Sequence, residues 1–202
     1  EPQKAIALVE KYWSGWQRGK QQAAVPVEPA PHGPVYKHVA WPTPTLPWVA
    51  IGFHAPAFSV KDKDQAALAT LLSLSFGPTS PLYKRLVQNE QKVDQLIEMT
   101  PDRVDPTLAL IGARVKNIDD AVYVRDAILA TVAQLRDTPV SEKDLADAKS
   151  AEKYGLIRTL DNTEQIAGTL ASFVHFDRSY ATINEYYRLI DTLTPADLQA
   201  AA

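Results

Sequence analysis

Cysteine is absent from the 202 residues, which excludes a disulfide scaffold, a thiol nucleophile and a cysteine-ligated metal site. That absence selects no compartment, and bacterial periplasm and cytoplasm both fit. Apolar residues never run on for the roughly 18 positions that a spanning helix needs. Charge of one sign never gathers into a block, and 21 Lys and Arg against 24 Asp and Glu leave a net charge of −3. Together with an isoelectric point near 5.8, this speaks against a nucleic-acid partner held by electrostatics. Glycine is scarce and dispersed, at eight residues, so the Gly-x-Gly-x-x-Gly, P-loop and Gly-x-Ser-x-Gly patterns are all missing.

Histidine is sparse too, with His32, His38, His54 and His175. None opens a His-Glu-x-x-His helix, and no two are four apart, so the inverted His-x-x-Glu-His form is also missing. Those spacings matter because two imidazoles must reach one metal from one helix face. His175, beside Phe173 and Phe176 late in a helix, reads better as a C-terminal cap. Gly77-Pro78-Thr79-Ser80 is the nearest approach to an anion-binding loop, with helix capping as the stronger reading. Asp119-Asp120 and Asp161 with Glu164 fall at helix starts, where carboxylates complement the helix dipole. No catalytic and no metal-ligating residue is therefore assigned, and substrate-binding residues stay unassigned.

The chain has 46% apolar residues, enough for a sizeable core, and its periods change in a regular order. Ile6, Val9, Trp13 and Trp16 form one stripe of a helix over 3–19, ending near Gly15 or Gly19. Eight of the 15 prolines then fall between Pro26 and Pro56, and residues 20–34 read as an extended linker. Strands are predicted over 35–41 and 47–54. A helix is expected after a capping-box pattern at Ser59 and Asp62, with Leu68, Leu71, Leu72 and Phe76 on its apolar face. Ser80 and Pro81 start a short helix carrying Leu82, Tyr83, Leu86 and Val87. Strands at 93–99 and 107–115 follow. Asn117 and Ser141 then cap two helices, and three more are expected near 163–176, 180–192 and from Thr194-Pro195 onward. This order predicts an α+β fold, a mainly antiparallel sheet with helices packed on one face. The domains read as a terminal helix of a preceding domain at 1–19, the linker at 20–34, and a domain over 35–202 cut short at its C-terminus. Glu1 in place of Met, and a closing Ala200-Ala201-Ala202 inside a helical pattern, suggest a segment of a longer polypeptide.

Leu72-Ser73-Leu74-Ser75-Phe76-Gly77-Pro78-Thr79-Ser80-Pro81-Leu82-Tyr83-Lys84-Arg85-Leu86-Val87 resembles a segment of the non-catalytic domains of pitrilysin/insulinase-type zinc metallopeptidases. There a helix ends in a glycine-containing turn followed by Ser-Arg-Leu-Tyr-x-x-Leu. Pro47-Trp48-Val49-Ala50-Ile51-Gly52-Phe53 is similar to the strand before that helix. Asp119 to Leu135, Pro139 to Lys149, and Leu193 to Leu198 are similar to its later helices. Leu8-Val9-Glu10-Lys11-Tyr12-Trp13 looks like the last helix of a preceding catalytic domain.

The resemblance implies the pitrilysin/mitochondrial processing peptidase fold, in which similar domains enclose a chamber. It also implies a zinc site, two histidines and a glutamate with a second glutamate as base, in the domain before residue 1. The expected partners are that catalytic domain and a peptide substrate, and a homodimer is compatible. Some relatives present an Arg and a Tyr to substrate after the Leu-Tyr helix. Aligning on Tyr83 puts Val87 and Asp94 there, which cannot serve, because Val donates no hydrogen bond and Asp repels a carbonyl oxygen. The implied role is a non-catalytic, substrate-enclosing domain, inactive alone. The alternatives are a scaffold of the same fold without metal, told apart by the upstream zinc motif, or an unrelated small-molecule-binding α+β domain. Trp13 and Trp16 are candidates for packing against another domain, with packing on this domain equally open.

Overall fold

The computed structural model describes residues 1–17, 19, 26, 29 and 32–202. Most of the expected linker, and position 18 of the expected first helix, lie outside the described residues. The chain divides into two units, Glu1–Pro42 and Thr43–Ala202.

The first unit holds helix α1, Pro2–Trp13, which starts on Pro2, where a missing N–H is no loss. It ends at Trp13, two residues before the nearer expected end at Gly15 and six before Gly19, because Ser14 and Gly15 turn the chain out of the helix. Residues 35–41 form no strand. Pro34, Pro42 and Pro44 remove donors on either side, and the Val35-Tyr36 pair breaks the alternation that would give the segment one buried face.

In the second unit, β1 (Trp48–Ala55), β2 (Val93–Met99) and β3 (Thr107–Val115) form an antiparallel sheet in the order β1-β3-β2. The α+β class with helices on one face is as expected. Alternation decides which face is covered. Ala109, Ile111, Ala113 and Val115 of β3 are fully buried beneath the helices, and Val49, Ile51 and Phe53 of β1 lie beside them. Helix α4 (Ala121–Asp137) closes this layer with Val124, Ala127, Ile128 and Val132. Fully burying an aliphatic side chain of this kind stabilises by about 1.5–3 kcal/mol.

Helix α2 (Asp64–Phe76) is apolar on nearly every side, as a helix between two cores must be. Leu72 and Phe76 face the sheet, while Ala66, Ala67 and Leu71 face a second core built with Leu145, Tyr186, Ile190, Leu193 and Leu198. That second core belongs to α5 (Glu142–Thr159), α7 (Thr182–Asp191) and α8 (Pro195–Ala200), and α6 (Thr163–Asp177) packs on α5 and α7. The expected capping box at Ser59 is not made. The Ser59 hydroxyl accepts from the N–H groups of Lys61 and Asp62, and α2 starts two residues after Asp62 with Lys63 as its N-cap. Ser141, Asn162 and Thr194 do cap α5, α6 and α8, Thr194 and Asp197 in a reciprocal capping box. Helix α8 ends at Ala200, with Ala201 as its C-cap.

Candidate functional site

The segment Gly77 to Asn89 shows how a local sequence becomes a fixed geometry. Gly77 ends α2, and a Cβ there would lie 2.4 Å from the Ser73 carbonyl oxygen, so only glycine permits the close approach. The Ser80 hydroxyl then accepts the Tyr83 N–H at 3.1 Å and opens α3 (Pro81–Tyr83). This is the capping geometry, and a three-residue helix offers no anion site. The chain continues as a π-helical turn, Lys84–Asn89, that buries Leu86 completely. Val87 packs against the sheet core.

The other face of the sheet carries Trp48, His54, Ile97, Met99 and Leu108, all exposed. Gly112 at its centre lets the flanking side chains close over β3, since a Cβ would meet Ile97 Cγ1 at 3.1 Å and Trp48 Cζ3 at 3.4 Å. Asp94 and Arg114 stand on neighbouring strands. The Arg114 Nε donates to Asp94 Oδ1 at 2.9 Å and its Nη2 to Oδ2 at 2.6 Å, a two-pronged pair. The guanidinium also lies over the Trp48 ring, 5.9 Å from its centroid. The bonds from Arg114 hold the Asp94 carboxyl below its usual range. Arg114, absent from the sequence-derived candidates, is thus the oriented cation of this face. Strand parity placed it outward with Leu108 and Leu110, but only the β2–β3 register puts Asp94 against it.

His54 lies on β1, and His175 lies in the last turn of α6. The α6 cap is Arg178 in a left-handed conformation, its N–H donating to the Val174 carbonyl, so His175 is not the capping residue. Among the described residues, no three His, Cys, Asp or Glu side chains come close enough to share a metal ion. No helix among the described residues is long and apolar enough to cross a membrane. Trp13 and Trp16 lie against each other, with ring centroids 4.4 Å apart, and within its own unit α1 buries none of its stripe.

The sequence profile of the family described as Peptidase M16 inactive domain matches residues 1–152. Zinc protease PqqE of Helicobacter pylori is 27% identical over 158 residues, 78% of this chain and 35% of that protein. Among solved structures, a protease from Helicobacter pylori superposes with a TM-score of 0.74 at 22% identity, over 99% of this chain and 49% of that one. A peptidase M16 inactive domain from Pseudomonas fluorescens superposes with a TM-score of 0.62 at 13% identity, over 76% of this chain and 37% of that one. At those identities the structural likeness concerns the fold. The chain spans about a third of the length of the curated relative it matches.

Proposed function

From the premise that this chain belongs to the peptidase M16 inactive-domain family, we propose that it is the substrate-enclosing wall of a zinc metallopeptidase whose chemistry lies in a preceding domain. The observation that carries the reading is the family match over residues 1–152, three quarters of the chain. The one-sided layering supports it. With helices covering one sheet face, the opposite face is free to look into a chamber, where apolar side chains and the fixed Arg114 guanidinium would meet an extended peptide. A guanidinium held by a carboxylate and an indole keeps its orientation without an entropy loss on binding. The catalytic domain of the same parent chain is the partner, and peptide is the substrate. A zinc ion would be held by residues of that catalytic domain, outside this chain, and would there supply water activation and polarisation of the scissile carbonyl. Trp13 at the end of α1 and Trp16 just after it would pack against that domain.

The test compares the isolated 202 residues with the longer parent. The isolated chain is expected to bind no stoichiometric zinc and to cleave no peptide, and the parent lacking residues 43–202 is expected to keep zinc and lose peptide hydrolysis. One equivalent of zinc on the isolated chain, with peptidase activity abolished by chelation, overturns the proposal. So does full activity of the shortened parent.

A further inference from the structure

Helix α6 is held on one side and bare on the other. Phe173 and Phe176 turn inward onto Phe58, the first edge-on at 6.1 Å between ring centroids and the second stacked at 4.2 Å. Those contacts orient the helix, and steps of about 100° per residue then gather Glu164, Ala167, Gly168, Ala171, His175 and Arg178 on the opposite face. All six are exposed, and no residue of α6 is fully buried, although the helix also carries Ile166, Leu170 and Val174. Leu170 and Val174 form, with Ala167 and Ala171, a groove of about 680 Å³ that has His175 and Arg178 at one end.

Gly168 is the residue of this face that the chain's own packing does not explain. A glycine inside a helix weakens it, because the unfolded chain has more freedom to lose. A Cβ at Gly168 would meet nothing within 4 Å, and its φ is not positive. Neither a neighbour in this chain nor the backbone conformation requires the glycine. What the missing side chain does supply is room for another backbone to come close. Charge is also ordered along the face, with Glu164 in the first turn, small residues between, and His175 and Arg178 at the far end. Among the described residues neither Glu164 nor Arg178 is in an ion pair.

We propose that this face of α6 is the contact between two copies of the chain, packed antiparallel about a two-fold axis at Ala171. A two-fold interface uses the same patch on both copies, so the patch must complement itself. With the axis at Ala171, Glu164 of one copy faces Arg178 of the other, since both lie seven residues from it, about 10 Å along the helix. The same register sets Ala167 and Gly168 across from Val174 and His175, small side chains against larger ones, and Ala171 against its own copy. One register thus satisfies charge and shape together. A parallel pairing brings Glu164 onto Glu164 and Arg178 onto Arg178, which repel. One helix face is a small interface, so the dimer exchanges with monomer. The surface is separate from the open sheet face, and it stands or falls independently of the peptidase reading.

Sedimentation equilibrium of the 202-residue chain, at low salt and up to about 500 μM, tests the proposal. A monomer–dimer equilibrium with Kd of about 10–100 μM is expected. Gly168→Leu should abolish the dimer. Its urea midpoint, measured at about 1 μM where the chain is monomeric, should be unchanged or raised, because Leu favours helix and meets nothing in its own chain. Glu164→Arg and Arg178→Glu each set like charges opposite one another at both ends of the contact and should weaken the dimer about tenfold or more. Mixed one to one, these two variants should associate about as well as wild type, since each supplies the charges that the other lacks. That recovery separates a lost contact from a damaged fold. A chain still monomeric at about 500 μM, a dimer indifferent to Gly168→Leu, or no recovery in the mixture overturns the proposal. So does a monomeric chain in which Gly168→Leu instead weakens association with the catalytic domain, a result that assigns the face to that domain.

Discussion

Replacing Glu152 by Gln should make the protein more stable at pH 8 and leave it nearly unchanged at pH 5. In the folded chain burial lifts the Glu152 carboxyl to about 7 from an ordinary value of 4.5. The folded state therefore holds a proton that the unfolded state has already released, and between those two values stability falls as pH rises. The difference of about 2.5 units, at about 1.36 kcal/mol each, amounts to about 3 kcal/mol lost once the pH is well above 7. That is a large part of the 5–15 kcal/mol typical of a domain. Gln keeps the shape and hydrogen-bonding capacity of the protonated acid but cannot ionise, so it removes the loss. Urea midpoints measured from pH 5 to 8.5 on both proteins give the comparison, with equal m-values confirming that the same surface unfolds. The wild-type curve should decline across this range and the variant curve should stay flatter. Parallel curves, or a variant less stable than wild type at pH 8, would refute the reasoning.

Two further substitutions probe the segment that carries the family resemblance. Gly77→Ala places a methyl 2.4 Å from the Ser73 carbonyl oxygen, and the backbone must move, so a loss of about 1–3 kcal/mol is expected from denaturant unfolding. Ser80→Ala removes the acceptor for the Tyr83 N–H and should cost about 1 kcal/mol, with restoration by Ser80→Thr or Ser80→Asp separating the cap from simple packing.

Much of this was legible from local pattern. The strands at 93–99 and 107–115 follow from alternation between proline-bearing turns, and both have the expected bounds. Ser80, Ser141 and Thr194 cap the helices they precede because their hydroxyls need only a donor three residues ahead. Failures came where a local signal had to compete with its surroundings. Ser59 has the spacing of a cap but makes a turn instead, and residues 35–41 have the composition of a strand without a ladder. His175 sits in the last turn of α6, yet a left-handed Arg178 supplies the cap.

By itself, then, the sequence determined the element order, most helix starts, the α+β class and the resemblance to an inactive peptidase domain, all of which rest on residues within a few positions of one another. The tertiary structure alone decided that Arg114 meets Asp94 across β2 and β3, and that Gln65 of α2 meets Asp102 of the loop between β2 and β3. Those groups are 20 residues apart in the first case and 37 in the second. No local periodicity records such distances. They are set by which strands pair and which apolar faces are buried together, and the electrostatics of both pairs follow from that packing.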